Sequence, residues 1–170
     1  MTLILVRHAL PIVDADSPPD TWPLSPEGRA AASALVLPSG AYLVASTEPK
    51  AFQTLSPAGR VLRDHRLGEV RREGEPFEGN FRELRMAYVD GTDYPLWEPH
   101  ADAVRRFDEA VADHQARAGG RPLVIGTHGM VLTLWLTARI GLVSPGSFWS
   151  ALRFPDMYAV DLAARTATRV

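Results

Sequence analysis

Cysteine is absent from this 170-residue chain. Its absence excludes disulfides, thiolate zinc sites, iron–sulfur clusters and every enzyme built on a cysteine nucleophile, thiol-dependent phosphatases included. No apolar run approaches the roughly 20 residues that a bilayer-crossing helix needs. There is no basic excess either. The formal net charge is −2, and no cluster of basic residues is long enough to propose as a nucleic-acid surface. Lysine is nearly missing: of 18 basic residues only Lys50 is not arginine. What remains is ordinary globular composition, 46% hydrophobic and 22% charged, in a length that suits one domain over residues 1–170. The opening apolar stretch stops at Arg7 and has no basic segment before it. It reads as a first strand rather than a secretion signal, so the expected location is the cytoplasm, with no membrane partner.

Four short apolar runs read as buried strands: Leu3–Val6, Tyr42–Ala45, Leu123–Ile125 and Met157–Leu162. Helical stretches lie between them. Ser25-Pro26-Glu27 is a helix start, with a capping hydroxyl, proline at the first turn and an acid near the positive end, and the helix is expected to run to Leu37. A second follows Thr47-Glu48-Pro49 to about Leu55, where Ser56-Pro57 breaks it. A third covers 101–118 and stops at Gly119-Gly120; a fourth covers 130–140 and stops at Gly141. The last strand and 166–170 form a hairpin. Strand–helix alternation predicts an α/β fold, a three-layer α/β/α sandwich around a mostly parallel sheet. Residues 10–23 read as loop. Residues 71–99 are long, charged and aromatic, and are expected to form a partly helical lid or insertion.

Ligands of open α/β sheets bind beyond the carboxyl ends of the strands. Arg7-His8 follows the first run, Ser46-Thr47-Glu48-Pro49-Lys50 the second, and Thr127-His128-Gly129 the third, just before a helix. One edge of the sheet thus receives a guanidinium, an ammonium, two imidazoles and two helix starts, which describes an anion pocket, above all for phosphate.

These residues carry a resemblance. Leu5-Val6-Arg7-His8-Ala9 resembles the Arg-His-Gly signature of the histidine phosphatase (phosphoglycerate mutase-like) superfamily. Trp22-Pro23-Leu24-Ser25-Pro26-Glu27-Gly28 is similar to its Leu-Thr/Ser-x-x-Gly helix start, and Ser46 to Thr54 to its Ser-x-x-x-Arg-Ala-x-Gln-Thr block. Leu67-Gly68-Glu69, with Phe77-Glu78-Gly79 after it, resembles Leu-x-Glu followed by Trp-Glu-Gly. Thr127-His128-Gly129 resembles Ser/Thr-His-Gly. The blocks stand in family order. Ala9 replaces the usual glycine, and Lys50 replaces arginine, keeping the charge but losing the bidentate fork.

The resemblance implies a metal-independent phosphatase acting on a small phosphorylated substrate, a phosphomonoester, with no cofactor. Neutral His8 would attack phosphorus and carry a phosphohistidine. Arg7, Lys50, His128 and Thr127 would bind the phosphate, with His128 also stabilising the transition state. Glu69 would donate and then accept a proton, with burial raising its pKa against the pull of nearby cations; Glu73, Glu75 and Glu78 compete for that role. Trp22, Arg82, Arg85 and Trp97 are candidates for substrate contact. His65, His100 and His114 have no motif context and are expected at the surface, and no histidine spacing reads as a metal site. Two alternatives stay open: a phosphoglycerate mutase-type phosphotransferase, disfavoured by the lack of asparagine in 10–23, and a non-catalytic phosphate-binding module. A homodimer through an edge strand or Phe148-Trp149 also stays open.

Overall fold

The computed structural model describes residues 2–170; Met1 lies outside them. Six strands, β1 (Leu3–Arg7), β2 (Tyr42–Ala45), β3 (Val61–Arg63), β4 (Leu123–Thr127), β5 (Asp156–Asp161) and β6 (Thr166–Arg169), form one sheet in the order β3-β2-β4-β1-β5-β6. The β3-β2, β2-β4 and β4-β1 pairings are parallel; β5 and β6 add on antiparallel. This is the expected α/β sandwich with a mostly parallel sheet.

Alternation along the strands builds two cores. Leu3, Leu5, Tyr42, Val44, Leu123 and Ile125 face one side, and Ile4, Val6, Leu43, Ala45 and Val124 the other. With both faces covered, the central strands are continuous apolar runs. The first face packs against α3 (Phe81–Val89), α4 (His100–Ala118), α5 (Gly129–Ile140) and α6 (Pro145–Ser150). The second packs against α2 (Pro49–Leu55), with α1 (Pro26–Ser33) beside it. Helix α4 turns Ala103, Phe107, Ala110 and Val111 inward and ends where Gly119 takes the left-handed conformation at φ 60°. Helix α5 is apolar almost all round and is buried from Gly129 to Leu136.

Several expectations need correction. Helix α1 stops at Ser33, short of Leu37, because Leu35 and Leu37 turn to pack on the second core while Val36 is left exposed. Strand β3 and helix α6 are too short to have shown a period. Residues 71–99 hold α3 but are closed at their base, where Arg72 bridges to Trp97 and Trp97 packs on Tyr88 and Tyr94. Trp97 is therefore a core anchor and not a substrate contact. His114 is buried, bonded to Tyr42 at 3.2 Å and to Asp64 at 2.9 Å. His100 stacks on Tyr88, and only His65 of the three is exposed. Trp149 is buried, and half-buried Phe148 packs on Tyr158. No helix of the described residues is long and apolar enough to cross a membrane.

The start of α1 is tied to the segment that leaves β1. Ser25 Oγ accepts from Gly28 N and donates to the Leu10 carbonyl, each at 3.0 Å. A Cβ at Gly28 would lie 2.1 Å from that carbonyl oxygen, and backbone on both sides cannot yield. Gly28→Ala is expected to destabilise the fold by about 1–3 kcal/mol, read as a lowered Tm. An unchanged Tm would show that the two segments do not approach this closely.

Candidate active site

Parallel pairing sets Val6 beside Gly126, and Ala45 beside Gly126 on the other side. The pairing continues one residue past the strands: His8 N donates to the Thr127 carbonyl at 3.0 Å and Ser46 N to the Gly126 carbonyl at 2.9 Å. His8, Ser46 and His128 therefore leave the sheet side by side. The His8 and His128 rings lie 5.2 Å apart between centroids, tilted by 58°, and both are buried.

Hydrogen bonding fixes the state of His8. Its Nδ1 is 2.8 Å from the Ala9 carbonyl, which can only accept, so Nδ1 carries the proton. Burial, then the neighbouring His128 and Lys50, push its pKa well below the ordinary imidazole range. The ring is neutral, and Nε2 is left with a free lone pair. Arg7 stands beside it. One terminal nitrogen donates to the Leu152 carbonyl at 2.9 Å, and the guanidinium lies 3.6 Å over the Phe154 ring. Burial lowers the Arg7 pKa to about 10 against the pull of Glu69 and Asp156, so it stays charged. The cup has a tight floor: a Cβ at Gly129 would lie 3.2 Å from both Arg7 Nε and Trp149 Nε1.

His128 precedes α5. Its Nε2 is 2.9 Å from Ser46 Oγ and 3.3 Å from Glu48 Oε1. Burial keeps this ring neutral too, outweighing the opposite pull of Glu69. Lys50 is buried, paired with Glu48 Oε2 at 2.8 Å and donating to the Pro19 carbonyl, under Trp22 at 5.9 Å. Among the described residues, two buried side-chain polar atoms have no hydrogen-bond partner, Arg7 Nε and His128 Nδ1. Both belong to this cup. Native proteins leave few such atoms, and each one asks for a ligand, a water or a strain to explain it.

The carboxylates depart from expectation. Glu69 accepts from three backbone N–H groups, those of Val70 (3.0 Å), Met130 (3.1 Å) and Val131 (2.9 Å), the last two at the start of α5. Burial pushes its pKa up, but Arg72 and these donors overcome that and hold it down to about 2. The anticipated upward shift is reversed, first by the charge of Arg72 and then by backbone donors that include the start of α5. Glu75 is spent on Arg72 and Arg85. The Thr127 hydroxyl donates to the Leu67 carbonyl at 2.8 Å and so anchors the Glu69 loop rather than facing the cup. Glu48, which sequence reasoning passed over, reaches both Lys50 and His128; its position two residues after Ser46 and two before Lys50 was the available signal. Arg82 is exposed on α3, has no ion-pair partner among the described residues and lies 5.4 Å over Trp149. Trp22 meets Phe77 edge-on at 6.3 Å, joining the 10–23 loop to residues 71–99. A broad groove at the opposite edge of the sheet, lined by Leu37, Ala41, Arg60 and Arg121 among others, holds no carboxylate or histidine.

No protein-family model and no curated protein matches the chain. Solved structures do. A mycobacterial glucosyl-3-phosphoglycerate phosphatase is similar at 21% identity and a TM-score of 0.72, over 99% of this chain and 96% of that one. YhfR of Bacillus stearothermophilus is similar at 22% identity and 0.73, over 99% and 95%. TTHB049 of Thermus thermophilus is similar at 24% and 0.67, over 100% and 99%. The chain shares the fold of these structures, a six-stranded mixed sheet between helices. The mycobacterial enzyme has also been solved with VO3 and with inorganic phosphate.

Both buried imidazoles are neutral in the folded chain, whereas in the unfolded chain they take up protons below the ordinary imidazole range. Stability is therefore expected to fall as pH drops below about 6.5, by about 1.4 kcal/mol per pH unit for each ring. The fall of Glu69 belongs to lower pH, since its contribution is complete above the ordinary carboxylate range. Urea unfolding between pH 7.5 and 5.5 checks this: His8→Asn and His128→Asn are each expected to flatten the slope.

Proposed function

We propose that the chain is a phosphatase that hydrolyses a phosphomonoester through a phosphohistidine on His8, without a metal. The observation that carries this reading is the pair of buried, unpartnered nitrogens, Arg7 Nε and His128 Nδ1, beside a His8 whose Nε2 is free. That a protein of the same fold has been solved with VO3 and inorganic phosphate supports an oxyanion as the ligand.

His8 Nε2 attacks phosphorus as the ester oxygen departs in line. Arg7, His128 and Lys50 offset charge on the non-bridging oxygens, a task that preorganised donors perform at no reorganisation cost. Water then attacks the phosphohistidine, and phosphate leaves with His8 restored. Glu69 is the candidate for proton handling. As an anion it is suited to take the proton of that water. To protonate a leaving alkoxide it would first have to gain a proton against three backbone donors, so the first half-reaction favours leaving groups that need little protonation.

His8→Ala is expected to abolish hydrolysis of a chromogenic aryl phosphate, a loss of more than about 10³-fold, while EDTA leaves the wild type unchanged. Rapid quench of the wild type in alkaline denaturant is expected to trap a base-stable, acid-labile phosphoenzyme at His8. Glu69→Gln is expected to slow phosphoenzyme breakdown, and so turnover of alkyl and aryl phosphates alike. Turnover surviving in His8→Ala, or lost in EDTA, would falsify the scheme. Monophosphoglycerate interconversion would mark a phosphotransferase, and anion binding without turnover of any phosphoester a binding module.

A further inference from the structure

The charges nearest the cup cancel, since Arg72 and Arg106 beyond them are paired with Glu75 and Glu98. Arg7 and Lys50 are cations and Glu48 and Glu69 are anions, while both imidazoles are neutral. A dianion entering a neutral, buried site would pay for desolvation without a matching positive charge. The cheapest remedy is a proton on a group already placed to share it.

His128 is that group. Its Nε2 is hydrogen-bonded to Ser46 Oγ at 2.9 Å, a hydroxyl that can accept, and Glu48 Oε1 lies 3.3 Å away; a carboxylate at that distance favours the tautomer with the proton on Nε2 and a lone pair on Nδ1. Nδ1 is buried without a partner. A lone pair repels an anion, whereas an N–H on the same atom would donate to it. Glu48 Oε1 is itself fixed by the Glu69 backbone N–H at 2.9 Å, and Oε2 by Lys50, so the carboxylate is held in place beside the ring.

We propose that Glu48 is a positioning residue that lets His128 take up one proton when an oxyanion fills the cup, making a carboxylate–imidazolium–anion chain from Glu48 through Nε2–H and Nδ1–H. The proton comes from solvent, adds to the Nδ1 lone pair, and returns to solvent on release; no other bond changes. This rests on the oxyanion cup proposed above. The groups that face His128 are Glu48, Lys50 and Ser46 from the β2–α2 junction, Glu69 and Arg72 from the loop beyond β3, Arg106 from α4 and His8 after β1. Of these only Glu48 is a carboxylate within reach of the ring nitrogen while leaving Nδ1 free. Glu69 is committed to the α5 backbone.

The test uses sulfate, which stays a dianion from pH 5 to 9, so any proton taken up belongs to the protein. Calorimetry in buffers of differing ionisation enthalpy is expected to give uptake of close to one proton per sulfate at pH 7.5 in the wild type, with affinity falling close to tenfold per pH unit above that. In Glu48→Gln the uptake is expected to vanish and the pH dependence to flatten, and Glu48→Asp is expected to restore part of both. The ring nitrogens of the wild type give a reading that needs no variant: in ¹⁵N spectra, His128 Nδ1 should move from unprotonated to protonated when sulfate is added. Sulfate bound with no proton uptake, or with His128 Nδ1 unchanged, overturns the proposal and leaves the cup standing. No sulfate bound by the wild type overturns both.

Discussion

The parallel ladder joining β4 to β1 on one side and β2 on the other decides the chemistry, because it delivers three chain segments to one level of the sheet edge. His8 N and Ser46 N each donate to carbonyls of β4, so the residues that follow the strands cannot drift apart. A slip of one position in either pairing would turn His8 toward a core and separate it from His128. The two cores, above and below the sheet, hold the strands flat against such a slip.

Burial at that edge has a cost and a use. An imidazole taken out of water loses its charge before it loses its place, so His8 and His128 stand neutral. For His8 that is the reactive form, with the proton on Nδ1 locked by the Ala9 carbonyl and the lone pair on Nε2. For half-buried Glu69 the outcome is opposite, because Arg72 and backbone N–H groups at a helix start reward the anion. Groups brought to one sheet edge thus move in different directions on the charge scale, the imidazoles because burial strips their charge and Glu69 because Arg72 and backbone N–H groups outweigh its burial.

Much of the fold was legible because the signals were local. The apolar runs of β1, β2 and β4, the Ser25-Pro26 cap and the Gly119 and Gly141 stops each act within a few residues. The side-by-side placement of Arg7, His8, Lys50 and His128 followed from strand ends alone. What escaped notice depends on contacts distant in sequence. His114 lacks any motif and is buried by Tyr42 and Asp64. Trp97 looked like a mouth residue and closes the base of the insertion instead. The Thr127 hydroxyl sits beside the cup but is drawn away by the Leu67 carbonyl, and Glu48 was passed over because a carboxylate is not what an anion pocket leads one to seek.

Lys50 carries the chain's only side-chain amine, and it lies buried between Glu48 and the Pro19 carbonyl of the 10–23 loop. An acylating reagent in solution reaches that nitrogen only when the loop lifts away from it. Side-chain amine modification on this molecule is consequently a clock for one motion, the parting of the loop from the cup, with no other lysine to blur the reading.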